Sequence, residues 1–371
     1  MKIIHCADIH LDAQMTSFLP PDKAKERRQE ILQTFLRMID FAGEHEVRHI
    51  LIAGDLFDSA NITAAAQNAV VAAIEGHPEI RFYFLRGNHD AEGFPDTLEK
   101  IPENLRLFGD TWTSYGLDRD RNMRIVLTGA ELTEGNREAL WNSLCPDMRH
   151  VNIVMLHGAA EEYESKDRAE GIPLGRLKGR GIDYLALGHY HGYREGKLDP
   201  RGRYCYAGCL EGRGFDECGL HGFVLLDIDD ETYHITSEFV PFAKRTVLEV
   251  PVDVTGCASS AEMTARVRDA LAESSSPEDL VRVVLTGEVP VDCEKDPSFI
   301  ETGVRDSRYF LRVQDRTRLF VDYRDFRLDA SLKGEFVRTV ESDGTLPEER
   351  KAEIIRCGIR ALMGENEDGC L

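Results

Sequence analysis

Five times along this 371-residue chain an apolar run stops abruptly and gives way to side chains that bind protons or metals. The stretches are ADIHLD, with Asp8, His10 and Asp12; AGDLFD, with Asp55 and Asp58; RGNHD, with Asn88, His89 and Asp90; VMLHG, with His157; and LGHYHG, with His189 and His191. Singly, each has an ordinary explanation. An Asp after a strand is a turn former or helix cap, Gly-Asn is a turn signal, and a solitary histidine is usually a satisfied core residue. Together they form a ligand set. Oxygen and imidazole donors suit borderline cations such as Mn2+, Fe2+ or Zn2+ better than Mg2+ or Ca2+. Even the seven of these left when Asp12, Asp58, His89 and Asp90 are set aside are too many ligands for one catalytic ion that keeps an open position. They suit two ions sharing a carboxylate, and such a pair, about 3.5–4 Å apart, can activate water and clamp a phosphate. Glycine directly precedes Asp55, Asn88 and His189, where a tight turn and close backbone approach are needed.

Those residues are positioned by alternating strands and helices. KIIHC (2–6), HILIAGD (49–55) and RFYFLRGNHD (81–90) read as buried strands with sharp ends. A helix within 23–43 puts Ile31, Phe35, Met38 and Ile39 on one face, and a second spans 63–76 and stops at Gly76. Further strands are expected at 123–129, 151–156, 182–187, 203–207, 222–228 and 233–240, the last two as a hairpin around DIDDET. This alternation predicts an α/β sandwich of two packed sheets with helices outside. In open α/β sheets ligand sites form at the carboxyl ends of strands, so the five stations are expected to meet.

After Pro241 the pattern changes to a compact β/α unit, with a capping box at Ser259 and Glu262. Two helices close the chain. One has Leu332, Phe336 and Val340 on one face; the other has a capping box at Thr345 and Glu348 and a face of Ile355, Ile359 and Leu362. The expected divisions are 1–242, 243–326 and 327–371.

Bulk properties bound the function. Hydrophobic content of 42% and charged content of 30% describe a globular chain, and no apolar stretch approaches membrane-spanning length. The start MKIIHCADIH has no apolar segment behind a basic one, so no secretory signal and a cytoplasmic location are expected. The nine scattered cysteines fit reduced thiols; Cys205, Cys209 and Cys218 lack the paired spacing of a structural zinc site. The net charge of −21 counts against nucleic acid and favours a small substrate, although a metal centre or a local basic groove offsets it. His5, His45, His49, His77, His150, His221 and His234 keep structural assignments.

The set DIH, GDLFD, GNHD, LHG and GHYH resembles the calcineurin-like metallophosphoesterase superfamily, over residues 8 to 191. Within it, HCADIHLDA, GDLFDSANIT, LRGNHD, IDYLALGHYHGYR and YAGCLEGRGFDECGLHGFVLLDID resemble the SbcD/YhaO-like branch of DNA-repair exonucleases, as do LKGEFVR and IIRCGIRAL. The resemblance implies a four-layer αββα sandwich, a small α+β capping domain and a C-terminal helical segment. It implies two divalent ions, Mn2+ before Fe2+ or Zn2+. Asp8, His10 and His191 would hold one; Asn88, His157 and His189 the other; Asp55 would be shared. His89 would be catalytic, stabilising the transition state over the scissile phosphate, with a metal-activated hydroxide as nucleophile. Asp58, Asp90 and Asp12 would orient the imidazoles, and Arg213 would contact a substrate phosphate; Arg86 has the same potential. The implied partners are DNA, an SbcC-type coiled-coil ATPase engaging the final helices, and a second copy in a homodimer. A small-molecule phosphodiesterase or nucleotidase is the alternative.

Overall fold

The computed structural model describes all residues except 17, 59–61, 91–93, 119–123, 161–170, 291–292, 321–327 and 363–371. The chain divides into two compact units, Met1–Leu248 with Glu278–Leu280, and Glu249–Pro277 with Val281–Leu371. The expected division between 326 and 327 falls outside the described residues.

In chain order the first unit contains β1 (Lys2–Cys6), α1 (Pro21–Glu44), β2 (His49–Ala53), α2 (Ala64–Gly76), β3 (Arg81–Leu85), β4 (Leu105–Leu107), β5 (Thr113–Gly116) and β6 (Ile125–Gly129). It continues with α3 (Arg137–Ser143), β7 (Val151–His157), β8 (Ala159–Ala160), β9 (Gly171–Ile172), α4 (Leu174–Leu177), β10 (Tyr184–Gly188), β11 (Arg194–Lys197), β12 (Arg203–Tyr206), β13 (Gly222–Ile228) and β14 (Ile235–Pro241). Two six-stranded sheets result, in the orders β14-β13-β1-β2-β3-β4 and β11-β12-β10-β7-β6-β5. Strands β1 to β4 run parallel, as do β6, β7, β10 and β12. The parallel register is what gathers the ligand-bearing strand ends: Cys6 lies beside Ile52, Ala53 beside Leu85 and Gly188 beside His157.

The sheets pack face to face. Ile3, Leu51 and Tyr83 of the first meet Leu127, Ile153, Met155, Tyr184 and Ala186 of the second in one buried cluster. Each fully buried aliphatic side chain here contributes roughly 1.5–3 kcal/mol. The opposite face of the second sheet packs with Trp141, Leu174 and Leu177 from α3 and α4. On the first sheet Ile4, Ile50, Ile52, Phe82 and Phe84 are equally buried, and α1 turns Ile31, Phe35, Met38 and Ile39 inward. Four layers, helix–sheet–sheet–helix, follow from strands that are apolar on both faces. The short strands β4, β5 and β11 were not anticipated, because three or four half-exposed residues carry no readable alternation.

The second unit has β15 (Val247–Asp253), α5 (Ser260–Ser274), β16 (Leu280–Thr286), β17 (Glu288–Pro290), α6 (Pro297–Val304), β18 (Phe310–Asp315), β19 (Arg318–Phe320), α7 (Leu332–Ser342) and α8 (Glu348–Leu362). Its sheet order is β15-β16-β18, with β17 and β19 paired in parallel. The Ser259 cap is as expected, accepting from the Glu262 amide while Glu262 reaches back to the Ala258 amide. The Thr345 cap is not: its hydroxyl and amide both donate to Asp343, and the Pro347 carbonyl starts α8. Helices α7 and α8 bury Val337 and Val340 against Ile355 and Ile359. Leu332 and Leu362 instead point outward, at the first residue of one helix and the last of the other, beyond the four packed residues. Among the described residues no helix is long and apolar enough to cross a membrane.

Candidate metal centre

The loops after β1 and β2 continue to pair beyond the sheet. The amides of Asp8, His10 and Leu11 donate to the carbonyls of Gly54, Asp55 and Leu56, at 3.1, 2.9 and 2.9 Å. That pairing holds Asp8, His10 and Asp55 in left-handed backbone, with φ of 51°, 47° and 53°, and His189 follows at 112°. Four non-glycine residues in this sparsely populated region, all at one site, mark a place where geometry is imposed against local preference. Two glycines make the approach feasible. A Cβ on Gly87 would lie 2.1 Å from an Asp55 carboxylate oxygen, and one on Gly54 would lie 2.2 Å from His157 Nδ1.

The side chains then converge on Asp55. Its Oδ2 is 3.3 Å from His157 Nε2 and 3.7 Å from His10 Nε2, and its Oδ1 accepts from the His89 amide at 2.9 Å. Asn88 Oδ1 is 3.0 Å from His157 Nε2. Across the gap between sheets, the His189 amide donates to both oxygens of Asp8, at 2.9 and 3.0 Å. The His189 ring stands edge-on to His157, with centroids 5.5 Å apart. His10 Nε2 faces His191 Nε2 at 3.3 Å. Potential ligand atoms fall within 4.8 Å of one another in three overlapping groups: Asp8, His10 and His191; Asp8, Asp55 and His157; His10, Asp55 and His89.

This donor set fits divalent cations. Two imidazole Nε2 atoms pointing at each other need a proton or a cation between them, and the buried His10 Nδ1 has no hydrogen-bond partner among the described residues. Burial opposes charge on Asp55, yet His157, His10 and the His89 amide hold its carboxyl well below the usual range. Burial also disfavours a charged His157, and the Asp55 and Asp8 carboxylates override it and push the imidazole up. His189 is lowered to about 4, by burial and by neighbouring His157. The acids thus require positive charge among them. A divalent ion meets that need with more ligand directions than a proton has.

His89 differs from the rest. Its ring is half exposed, edge-on to His10 at 4.9 Å, and its Nδ1 is 3.9 Å from Asp58. The three expected orienting acids divide. Only Asp58 faces an imidazole. Asp90 instead accepts from the amides of Leu56, Phe57 and Gly87, at 3.2, 3.0 and 3.0 Å, and so locks the second ligand loop to the third. Burial raises its carboxyl to about 6. Asp12 accepts from the amide and hydroxyl of Thr63, the cap of α2, at 2.7 and 2.8 Å. Unsatisfied amides at a helix start outcompete a distant imidazole for a short carboxylate.

The arginines also differ from expectation. Arg86 pairs with Asp96 at 2.5 Å and Glu131 at 3.7 Å. Arg213 sits at the cluster: its Nη2 and Nε lie 2.7 and 3.1 Å from Glu217 Oε1, and Nη2 is also 3.0 Å from His191 Nδ1. Glu217 is the residue the sequence reading missed. It is buried and hydrogen-bonds His191 Nδ1 at 2.7 Å. Only its place in GFDECG, a polar stretch among apolar ones, could have drawn attention. Among the described residues no cysteine joins a ligand cluster.

The chain matches the calcineurin-like phosphoesterase family over residues 1–193. It is 29% identical over 307 residues to the uncharacterized metallophosphoesterase YhaO of Bacillus subtilis (strain 168), covering 78% of this chain and 72% of that one. It is 24% identical to the DNA double-strand break repair protein Mre11 of Methanosarcina acetivorans, over 68% of this chain but only 41% of that protein. The Sulfolobus acidocaldarius Mre11 is likewise 24% identical, covering 68% of this chain and 67% of its own. Among solved structures, a dimetal phosphatase from Danio rerio aligns with 64% of this chain and 95% of its own, at 9% identity and a TM-score of 0.45.

Proposed function

The chain belongs to the calcineurin-like phosphoesterase family, and on that premise we propose that it is a DNA nuclease, with exonuclease action, that hydrolyses phosphodiester bonds with two divalent ions, Mn2+ first among them. The carrying observation is one cluster in which Asp8, His10 and His157 gather around Asp55, His191 faces His10, Asn88 meets His157 and the His189 ring stands edge-on to His157. Asp55 would be the shared carboxylate. Asp8, His10 and His191 would hold one ion, and Asn88, His157 and His189 the other. When bound, such a pair supplies an activated water at neutral pH and positive charge against the phosphoryl oxygens.

The chain's own groups do the rest. Asp55, its charge held by His157 and His10, sets the spacing of the two halves. His89 reaches from the rim with its amide tied to Asp55, so its ring is free to face a phosphate and hand a proton to the leaving oxygen. Asp58 lies where it would steady that ring. The likeness to Mre11 proteins supports DNA as the substrate. The outward Leu328 and Leu332 near α7 are the surface we assign to an SbcC-type ATPase.

The net charge of −21 favours a second reading, a small-molecule phosphodiesterase. End-labelled duplex and single-stranded DNA, incubated with Mn2+ with and without chelator, separates the two. Metal-dependent shortening of the labelled strand is expected. Hydrolysis of bis-p-nitrophenyl phosphate with intact DNA overturns the nuclease in favour of the small substrate.

A further inference from the structure

His191 is gripped by a closed circuit. Its carbonyl accepts from the Cys209 amide at 2.9 Å. The Cys209 thiol faces His221 Nδ1 at 3.1 Å, His221 Nε2 meets the Glu217 carbonyl at 2.7 Å, and the Glu217 carboxylate returns to His191 Nδ1 at 2.7 Å. The partners constrain the hydrogens. A carbonyl oxygen only accepts, so His221 Nε2 carries the proton and its Nδ1 accepts from the thiol. At His191 two groups approach Nδ1: the Glu217 carboxylate, which only accepts, at 2.7 Å, and Arg213 Nη2, which only donates, at 3.0 Å. Because Arg213 Nη2 is closer to Glu217 Oε1, at 2.7 Å, the shorter contact assigns the proton to Nδ1 and leaves the Nε2 lone pair toward His10 and Asp8.

The carboxylate is itself held on every side. Oε1 takes Arg213 Nη2 and Nε, and Oε2 takes the Arg213 amide at 2.7 Å, with the Cys209 sulfur at 3.8 Å. The loop is pinned at its start. Glu211 accepts from Thr34 at 2.7 Å and from Arg27 at 2.9 Å, both on α1, and Arg27 is wholly buried. By contrast His157, on the other side of the cluster, is oriented by the backbone carbonyl of Ala53, at 2.8 Å from Nδ1.

We propose that Glu217 is the positioning residue of His191, fixing its tautomer and ring direction, so that the 209–221 loop controls occupancy of the Asp8–His10–His191 half of the centre and leaves the other half alone. This rests on the dinuclear reading above. The handle is a charged, removable side chain on one half and a neutral peptide group on the other. Loss of such an outer partner costs roughly 10–100-fold in metal affinity.

The test uses the full chain stripped with chelator. Calorimetric titration of the wild type with Mn2+ should show two ions, and electron paramagnetic resonance should show them spin-coupled. In Glu217→Gln one ion should remain tight, the other should weaken roughly 10–100-fold, and the coupled signal should give way to that of an isolated ion. Equal affinity for both ions in wild type and variant overturns the role of Glu217 and leaves the dinuclear reading standing. A wild type that takes up no second ion overturns both. Should the variant fail to fold, long-range proton–nitrogen spectra of Zn2+-loaded wild type decide: His191 protonated at Nδ1 is expected, and protonation at Nε2 overturns the proposal.

Discussion

The two halves of the proposed centre each offer two imidazoles, with Asp8 in one and Asn88 in the other, and they are held by different means. The His157 half is fixed by the sandwich itself: the imidazole lies on the end of β7 and hydrogen-bonds the last residue of β2. The His191 half is fixed by the Glu217 carboxylate, 26 residues downstream, on a loop whose Glu211 is anchored on α1. The first needs only strand pairing and a glycine; the second needs a buried chain of charges. A site held by backbone resists substitution, whereas one held by side chains can be tuned or lost residue by residue.

Asp55 stands between the halves, so its loss should erase the contrast. Asp55→Asn is expected to abolish binding of both ions and phosphodiester hydrolysis; two ions retained by elemental analysis would show that the halves do not share it. His89→Ala should keep both ions while turnover falls by roughly 10²–10⁴-fold. Its ring also falls within ligand range of His10 and Asp55, so a missing ion in this variant would make it a ligand of the His191 half instead.

Gly54→Ala strikes the His157 half first. Its φ of +88° and the 2.2 Å approach to His157 Nδ1 leave no room for a methyl group. Uptake should drop from two ions to one, the reverse of the pattern set by Glu217→Gln, and equal loss in both would merge the halves into one unit.

Glu30→Gln probes the anchor beneath the His191 loop. Burial works against charge on Glu30, but hydrogen bonds from Arg245, Lys244 and Arg27 prevail and lower its carboxyl from 4.5 to about 2. A lowered native value stabilises the fold above the unfolded value, and the contribution fades as pH falls from 4.5 to 2. Near neutrality the variant should be less stable by about 3 kcal/mol, since buried Arg27 and Arg245 each lose one of their carboxylate partners. Denaturant unfolding should show that gap closing across the same acidic window; a gap unchanged with pH would mean the loss is packing, not charge.

What was legible follows from how local each signal is. The five stations were readable because each ligand sits at the end of its own apolar strand, and the strand pattern says where it goes. Strands β1, β2, β3, β7 and β10 were read for the same reason. Asp12 and Asp90 were read as acids near imidazoles, but their oxygens went to unsatisfied amides that composition does not reveal. Leu332 and Leu362 were assigned to apolar faces they do not share, because periodicity alone does not say where the partner helix ends.

The candidate ligands, their order and their suitability for two cations were already written in the residue types. Donor chemistry and strand periodicity are short-range properties that survive without coordinates. Glu217, Cys209 and His221 became a device for His191 only when the chain closed on itself. Hydrogen bonds between distant loops depend on direction and distance to within a fraction of an ångström, and no linear pattern encodes them.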